Sequence, residues 1–271
     1  MDKKISFEKA IENIDMGRGL AYSDLFHEYL DLHLSFHCNN PSKRQNELRR
    51  HVTENKEYGE RVSIAMKCYG DEAEDYKDPL GNSFMERVSF GQNGQFFTPE
   101  TICDFMANIM DPHLESISDP TCGSGRLLLS GLKKARKNNV EPHIHGNDLS
   151  NTCAKMTLLN LLSNSASGIV TCGDGLRLDY NNYIFYKIDR LRFIYGQQIA
   201  LSTYWEYTLS NADEVEDIRQ KWWKDRYMEG WRNANVIIRQ HESAKAKPQT
   251  SPIEALPTEY KIDNKGQFLL F

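Results

Sequence analysis

The run DPTCGSG, Asp119 to Gly125, sets a carboxylate at the head of a glycine-rich bend. Glycine carries no Cβ, so such a bend lets backbone come close to a ligand. Charge narrows the choice of ligand. A phosphate loop offers backbone N–H groups and usually a lysine, as in GxxxxGK followed by Ser or Thr. This bend has no lysine, and Asp119 would repel a phosphate and attract an ammonium. The dinucleotide fingerprint GxGxxG is not met either, because Gly123-Ser124-Gly125 runs on into Arg-Leu-Leu-Leu. Two further acids follow, Asp148 in GNDLS and Asp174 in GDGL. Asp119 and the loop carbonyls suit an ammonium, Asp148 a pair of ribose hydroxyls, and Asp174 an adenine amino group. Leu149 offers apolar cover for the adenine ring. S-adenosyl-L-methionine carries all of these groups.

The elements around these acids must bring them to one place. LESISD, HIHGND and GIVTCGD have the length and residue types of strands. Between them lie two helical stretches. RLLLSGLKKARKN turns Leu127, Leu128, Leu129 and Leu132 inward, and SNTCAKMTLLNLLSNS is capped by Ser150. This βαβαβ run predicts a parallel, doubly wound sheet, in which ligands sit beyond the carboxyl ends of the strands. Asp119, Asp148 and Asp174 each fall at such an end. Upstream, TPETICDFMANIM predicts a helix with Thr98 as cap and Pro99 first in the helix. Ile102, Phe105, Met106, Ile109 and Met110 form its expected buried face.

Residues from about 5 to 76 read as helices. Leu20, Leu25, Tyr29, Leu32 and Phe36 make one stripe, SKRQNELRRHVTENKEYGERVSIAMKCYG reads as charged and helical with a stop at Gly70, and DEAEDYKDPLGNS reads as a connector. After Leu178, NNYIFYKIDRLRFIYG can hold another strand. A long helix is expected over NADEVEDIRQKWWKDRYMEGWRNANVIIRQ. Its Trp223, Tyr227 and Trp231 read as a core stripe, rather than as a nucleic-acid face with Lys221, Lys224, Arg226 and Arg232. AKAKPQTSPIEALP resembles a linker and EYKIDNKGQFLLF a hairpin.

With these residues in place, the sequence resembles the N6-adenine DNA methyltransferases, especially the modification (M) subunits of type I restriction-modification systems. DPLGNSFMERVSFGQNGQFFTP is similar to the helix and turn that close those subunits' N-terminal helical domain. GQFFTP, Gly94 to Pro99, is similar to their GQFYTP box, which contacts the methionine part of the cofactor; this implies Phe97, Thr98 and Pro99 as contacts. DPTCGSG is similar to their DPACGSG loop, which implies Asp119, Thr121, Gly123, Ser124 and Gly125. GNDLS matches the acidic ribose contact with Asp148 and Leu149, and GDGL the adenine-side contact with Asp174 and Gly175. The likeness covers roughly residues 75 to 178. It implies a Rossmann-like S-adenosylmethionine-dependent methyltransferase sheet, complete or truncated, behind an α-helical N-terminal domain. The corresponding division is a helical domain over 1–90, a cofactor-binding methyltransferase domain over 91–245, and a linker with a C-terminal hairpin or tail over 246–271. It also implies DNA as substrate, reached through a separate specificity subunit.

One part of the family pattern is missing. The catalytic box places two prolines between an Asn, Asp or Ser and an aromatic residue, soon after GDGL. The chain has nine prolines, no two are adjacent, and none lies between Pro142 and Pro248. Adenine's exocyclic amine is a poor nucleophile because its lone pair is delocalised into the ring. The box's hydrogen-bond acceptors hold that amine in line with the methyl group, and its aromatic residue stacks on the flipped base. Asn181, Asn182 and Tyr183 lie nearby without the proline rigidity or spacing, so no catalytic residue is assigned. After Asp174 there is also little room for the remaining strands of a full methyltransferase sheet. Two readings stay open: a methyltransferase with a diverged catalytic loop, or a non-catalytic relative acting as a cofactor-binding or DNA-associated module. QFFTP argues against methylation of protein or RNA.

A net charge of −5 excludes a uniformly basic nucleic-acid coat. No apolar run approaches a membrane span and the start lacks a signal-peptide core, so a cytoplasmic protein is expected. The six cysteines form no CxxC pair and are expected to be reduced thiols. His33, His37 and Cys38, like His143 and His145, lack the further ligands a metal would need.

Overall fold

A computed structural model describes residues 5–89, 96–110, 115–176, 183–191 and 201–208. Residues Met1–Val215 make one compact unit, and Glu216–Phe271 a second. The expected aromatic helix, linker and hairpin lie outside the described residues, as do Asn181 and Asn182.

Local side-chain caps set where the N-terminal helices begin, with one exception. Ser6 accepts from the Lys9 N–H and opens α1 (Phe7–Asn13). In α2 (Tyr22–His37), which has no side-chain cap, Leu25, Tyr29 and Leu32 of the expected stripe are buried, whereas Leu20 and Phe36, at its ends, are exposed. The charged helical stretch forms two helices, α3 (Lys43–Glu54) and α4 (Lys56–Glu72). Asn55 divides them: its backbone is extended, and its side chain caps α4 by accepting from the Tyr58 N–H. Gly70 lies inside α4 and does not stop it. The presumed connector is ordered and partly buried. Asp78 caps the short α5 (Pro79–Ser83), Pro79 takes its first turn, and a π-helical turn over Phe84–Ser89 follows.

The next helix, α6 (Glu100–Ile109), starts after Pro99 and has no side-chain cap, so Thr98 does not play that part. Its burial is the reverse of the expected one at every position but Met110, which lies just past the helix and packs partly buried against the core. Cys103 and Ala107 are buried as α6 packs on the following helix, α7 (Arg126–Lys137), while Ile102, Phe105, Met106 and Ile109 are exposed. The helical period is right, but the small residues supply the close contact. Among the described residues nothing covers the large ones.

The strands are β1 (Ser116–Asp119), β2 (His143–Asp148), β3 (Ser167–Cys172), β4 (Ile184–Leu191) and β5 (Leu201–Thr208), side by side in that order. The first three are parallel, with Asp119 opposite Gly146 and Asp148 opposite Cys172. Helix α7 joins β1 to β2, and α8 (Asn151–Ser163) joins β2 to β3. Ser150 caps α8 as expected, accepting from the Cys153 N–H. Strand β4 realises the strand anticipated after Leu178, but it and β5 run antiparallel to their neighbours. The sheet is therefore a Rossmann-like parallel half extended by an antiparallel pair, not an all-parallel one. Right-handed crossovers that march one way across a sheet fall on the same face. Here α7 packs on β1 and β2, and α8 on β2 through β5. A second helical layer arises when the chain reverses its march, and the described strands do not reverse.

Helix α8 is apolar nearly all round, with Ala154, Met156, Leu158, Leu159 and Leu161 fully buried, as a helix enclosed on both sides requires. On one side lies the sheet. On the other lies α2, which also reaches β5. The Asn39 N–H donates to the Tyr204 carbonyl at 2.8 Å, so the helical region and the sheet share one core.

Candidate cofactor site

The bend between β1 and α7 passes through two left-handed glycines, Gly123 (φ 57°) and Gly125 (φ 89°). A Cβ at Gly123 would lie 2.9 Å from the Phe97 ring. Phe97 thus lies directly against the bend, and it stacks on Phe84 with centroids 5.8 Å apart. The QFFTP and DPTCGSG strings are separated in sequence but touch in space. The Phe96, Thr98 and Pro99 side chains beside Phe97 are exposed.

Hydrogen bonds then fasten the bend to the end of β2. The Cys122 N–H donates to the Asn147 carbonyl at 2.8 Å, and the Gly123 N–H to Asp148 Oδ2 at 2.9 Å. Asp148 Oδ1 accepts from the Ser150 N–H at 2.8 Å. One carboxylate therefore orients both the bend and the start of α8. Each of its oxygens keeps a second lone pair available for a ligand hydroxyl. Asp119 Oδ1 accepts from the Thr121 N–H at 3.0 Å. Burial pushes the Asp119 carboxyl above the usual aspartate range; the Thr121 N–H draws it back, and the Asp148 carboxylate adds to the rise. A buried carboxyl raised in this way, beside a second acid, makes a place where a cationic group is favoured.

Asp174 stands two residues beyond β3. Its Oδ1 accepts from the Leu176 N–H at 3.0 Å, and the Tyr183 hydroxyl donates to its backbone carbonyl. A residue the sequence reading passed over ties this third strand end to the first. Asn147 Nδ2 donates to the Pro120 carbonyl and to the Gly173 carbonyl, both at 3.1 Å, and Gly175 packs close to the same amide. Its signal was present in GNDLS, one residue before the acid. Leu149 and Leu176 are 73% and 95% exposed, so the rim is open to solvent on the side where a ring would pack.

Ser124 behaves differently from its neighbours. It is buried, and its hydroxyl points beneath the bend to Asp78 at 2.5 Å. Cys122 is also buried, which pushes its thiol far up, and Thr157 Oγ1 donates to its sulfur at 3.3 Å; it is a packed loop residue and not a nucleophile. All six cysteines are free thiols. His33 hydrogen-bonds the Tyr29 hydroxyl and His37 the Ser202 carbonyl. Burial holds His33 down at about 3, so it is a neutral core residue. Tyr183 is buried and lies over Gly173, held by the structure and turned to no open site.

Residues 83–205 match the N-6 DNA Methylase family. This span takes in the π-helical turn, the glycine bend, all three acids, β1 to β4 and β5 as far as Trp205. The chain is 30% identical over 89 residues to the type I restriction enzyme MjaIX methylase subunit of Methanocaldococcus jannaschii, covering 32% of this chain and 16% of that subunit. It is 43% identical over 54 residues to the type I restriction enzyme EcoEI methylase subunit of Escherichia coli, covering 20% of this chain and 11% of the relative. The matches thus span a small part of those subunits' own lengths. A solved class I S-adenosylmethionine-dependent methyltransferase from Listeria monocytogenes superposes with a TM-score of 0.44 at 16% identity, covering 63% of this chain and 51% of that one. No described helix of the protein is long and apolar enough to cross a membrane. The N-6 DNA methylase segment contains no adjacent prolines.

Proposed function

We propose that the chain binds S-adenosyl-L-methionine at the carboxyl rim of β1, β2 and β3, as the cofactor-holding part of an enzyme that methylates adenine N6 in DNA. One observation carries the reading: Asp119 and Asp148 flank a lysine-free glycine bend on adjacent parallel strands, where two acids meet with no cationic side chain in the bend. The ammonium of the ligand meets Asp119, and its ribose hydroxyls meet the spare lone pairs of Asp148. Asp174 takes the adenine amine, with Gly175 beside it and Leu149 against the ring. Phe97, Thr98 and Pro99 border the methionine end, and Thr121 and the glycines let the backbone approach. When bound, the sulfonium supplies an activated methyl group. The residues of this chain bind and orient it; no residue is assigned to hold the adenine amine. DNA is reached with a specificity-type partner subunit, in the cytoplasm.

The missing proline pair favours a second reading, in which the chain binds the cofactor and transfers nothing. Calorimetry with S-adenosylmethionine, followed by labelled-methyl transfer to mixed-sequence DNA with and without a specificity-type subunit, separates the two. Binding with N6-methyladenine formation supports the enzyme. Binding without transfer in either condition supports the second reading. Failure to bind removes both.

A further inference from the structure

We propose that Asp78 is a positioning residue for the cofactor site, setting the shape of the glycine bend from beneath. The inference rests on the cofactor reading above and deepens it. Asp78 lies outside the segment that matches the N-6 DNA methylase family, and it touches none of the rim groups.

The Asp78 side chain is 1% exposed, and Arg126 is 6% exposed. Asp78 Oδ1 accepts from the Gly81 N–H and from Asn160 Nδ2, both at 2.8 Å. Its Oδ2 accepts from Ser124 Oγ at 2.5 Å and from Arg126 Nε at 2.6 Å. Two of these four donors belong to the bend and the first residue of α7. Asn160 strengthens the hold, donating to the Ser124 carbonyl at 2.9 Å and accepting from the Tyr69 hydroxyl at 2.9 Å. Ser124 is thereby gripped at both its hydroxyl and its carbonyl.

That grip falls where the chain is least able to hold itself. Ser124 stands between the two left-handed glycines, whose backbone torsions are the freest in the bend. Fixing Ser124 fixes how Gly123 aims its N–H at Asp148, and so the spacing of the rim. Gly81 makes the approach possible, because a Cβ there would lie 2.0 Å from Asp78 Oδ2 and 2.5 Å from Ser124 Oγ. The sequence DPLG therefore has three parts with separate reasons: an acid that caps α5 and reaches the bend, a proline that starts the helix, and a glycine that clears the path. A buried carboxylate so enclosed persists only when its lone pairs have partners, and here two of the four partners are Ser124 of the bend and Arg126 at the start of α7.

The test uses the full chain. Asp78→Asn keeps the size and removes the charge. It should lower the affinity for S-adenosylmethionine at least tenfold and speed hydrogen exchange of the Gly123 and Gly125 amides without cofactor. Ser124→Ala should move both quantities the same way by less, and the double variant should be no worse than Asp78→Asn alone. Val62→Ala, buried in α4 two turns from Tyr69, serves as a control matched for lost stability. The proposal is overturned if Asp78→Asn weakens binding no more than that control at equal fraction folded. Unchanged protection of the two glycine amides overturns it as well. Should Asp78→Asn not fold, Ser124→Ala is read against the same control for the same two quantities, with the same criteria. If the unmodified chain does not bind the cofactor, the cofactor reading fails, and amide exchange alone decides whether Asp78 shapes the bend.

Discussion

The two sides of the glycine bend are built on opposite principles. Beneath it, Asp78, Ser124, Arg126 and Asn160 are buried and bonded to one another. Above it, Thr121, Leu149 and Leu176 are exposed, and burial, with the Asp148 carboxylate adding to it, holds the Asp119 carboxyl above its usual range. The lower side has its ordering done before any ligand arrives. The upper side keeps its acceptors available and needs little rearrangement on binding. The difference teaches that stability and affinity are separable here. Substitutions below the bend should cost stability and, through the shape of the bend, affinity as well, whereas substitutions above it should change binding with the fold intact.

Gly81→Ala should produce the largest effect. Its Cβ forces Asp78 away from Ser124 and Arg126, and breaking a buried pair costs about 3–5 kcal/mol. A urea melt reads the loss; a variant within ~1 kcal/mol of the parent would mean the buried cluster has slack. Next comes Leu128→Ala, where a fully buried α7 side chain faces the sheet. Its cost should be about 2–5 kcal/mol in the same melt.

Above the bend, Asp119→Asn should leave the fold intact and even raise stability at neutral pH. The sign follows from the raised carboxyl. A folded-state pKa above the unfolded value means the charged form is disfavoured on folding. That penalty is fully present above the folded pKa, and it fades as pH falls toward the unfolded value. The gain of the Asn variant over the parent should therefore shrink on acidification through that window, measured by melts at several pH values. In the unmodified chain, cofactor affinity should weaken over the same window as Asp119 takes up a proton. The smallest effect is expected on α6. Ile109→Ser, at an exposed apolar position, should change stability by less than about 0.5 kcal/mol. A loss near that of Leu128→Ala would show that this face is covered in solution.

Much of the site was legible because its chemistry is local. Asp119 and Asp148 each close a short strand, Asp174 stands two residues past the third, and glycines at 123 and 125 announce a bend whatever the surrounding fold. The period of α7 and the cap of α8 are equally local. What escaped depends on distant partners. DPLGNS reads as a connector by composition, since nothing in its sequence says that Asp78 meets Ser124 and Asn160 some 46 and 82 positions away. Asn147 is unremarkable until Pro120 and Gly173 are seen on either side of it. The stripe on α6 gave the right period and the wrong face, because period cannot tell which side a neighbour occupies. The antiparallel turn after β3 escaped for the same reason: pairing direction is decided by the neighbour and not by the strand.

Pairing one substitution with one shortened ligand addresses the clasp itself. Methylthioadenosine keeps the nucleoside and sulfur of S-adenosylmethionine but lacks its ammonium and carboxylate. Calorimetry of both ligands on the unmodified chain and on Asp119→Asn isolates the contact assigned to Asp119. The account predicts that the substitution weakens S-adenosylmethionine at least tenfold, about 1.4 kcal/mol, and leaves methylthioadenosine nearly unchanged. Equal affinities for S-adenosylmethionine in the two proteins would contradict it.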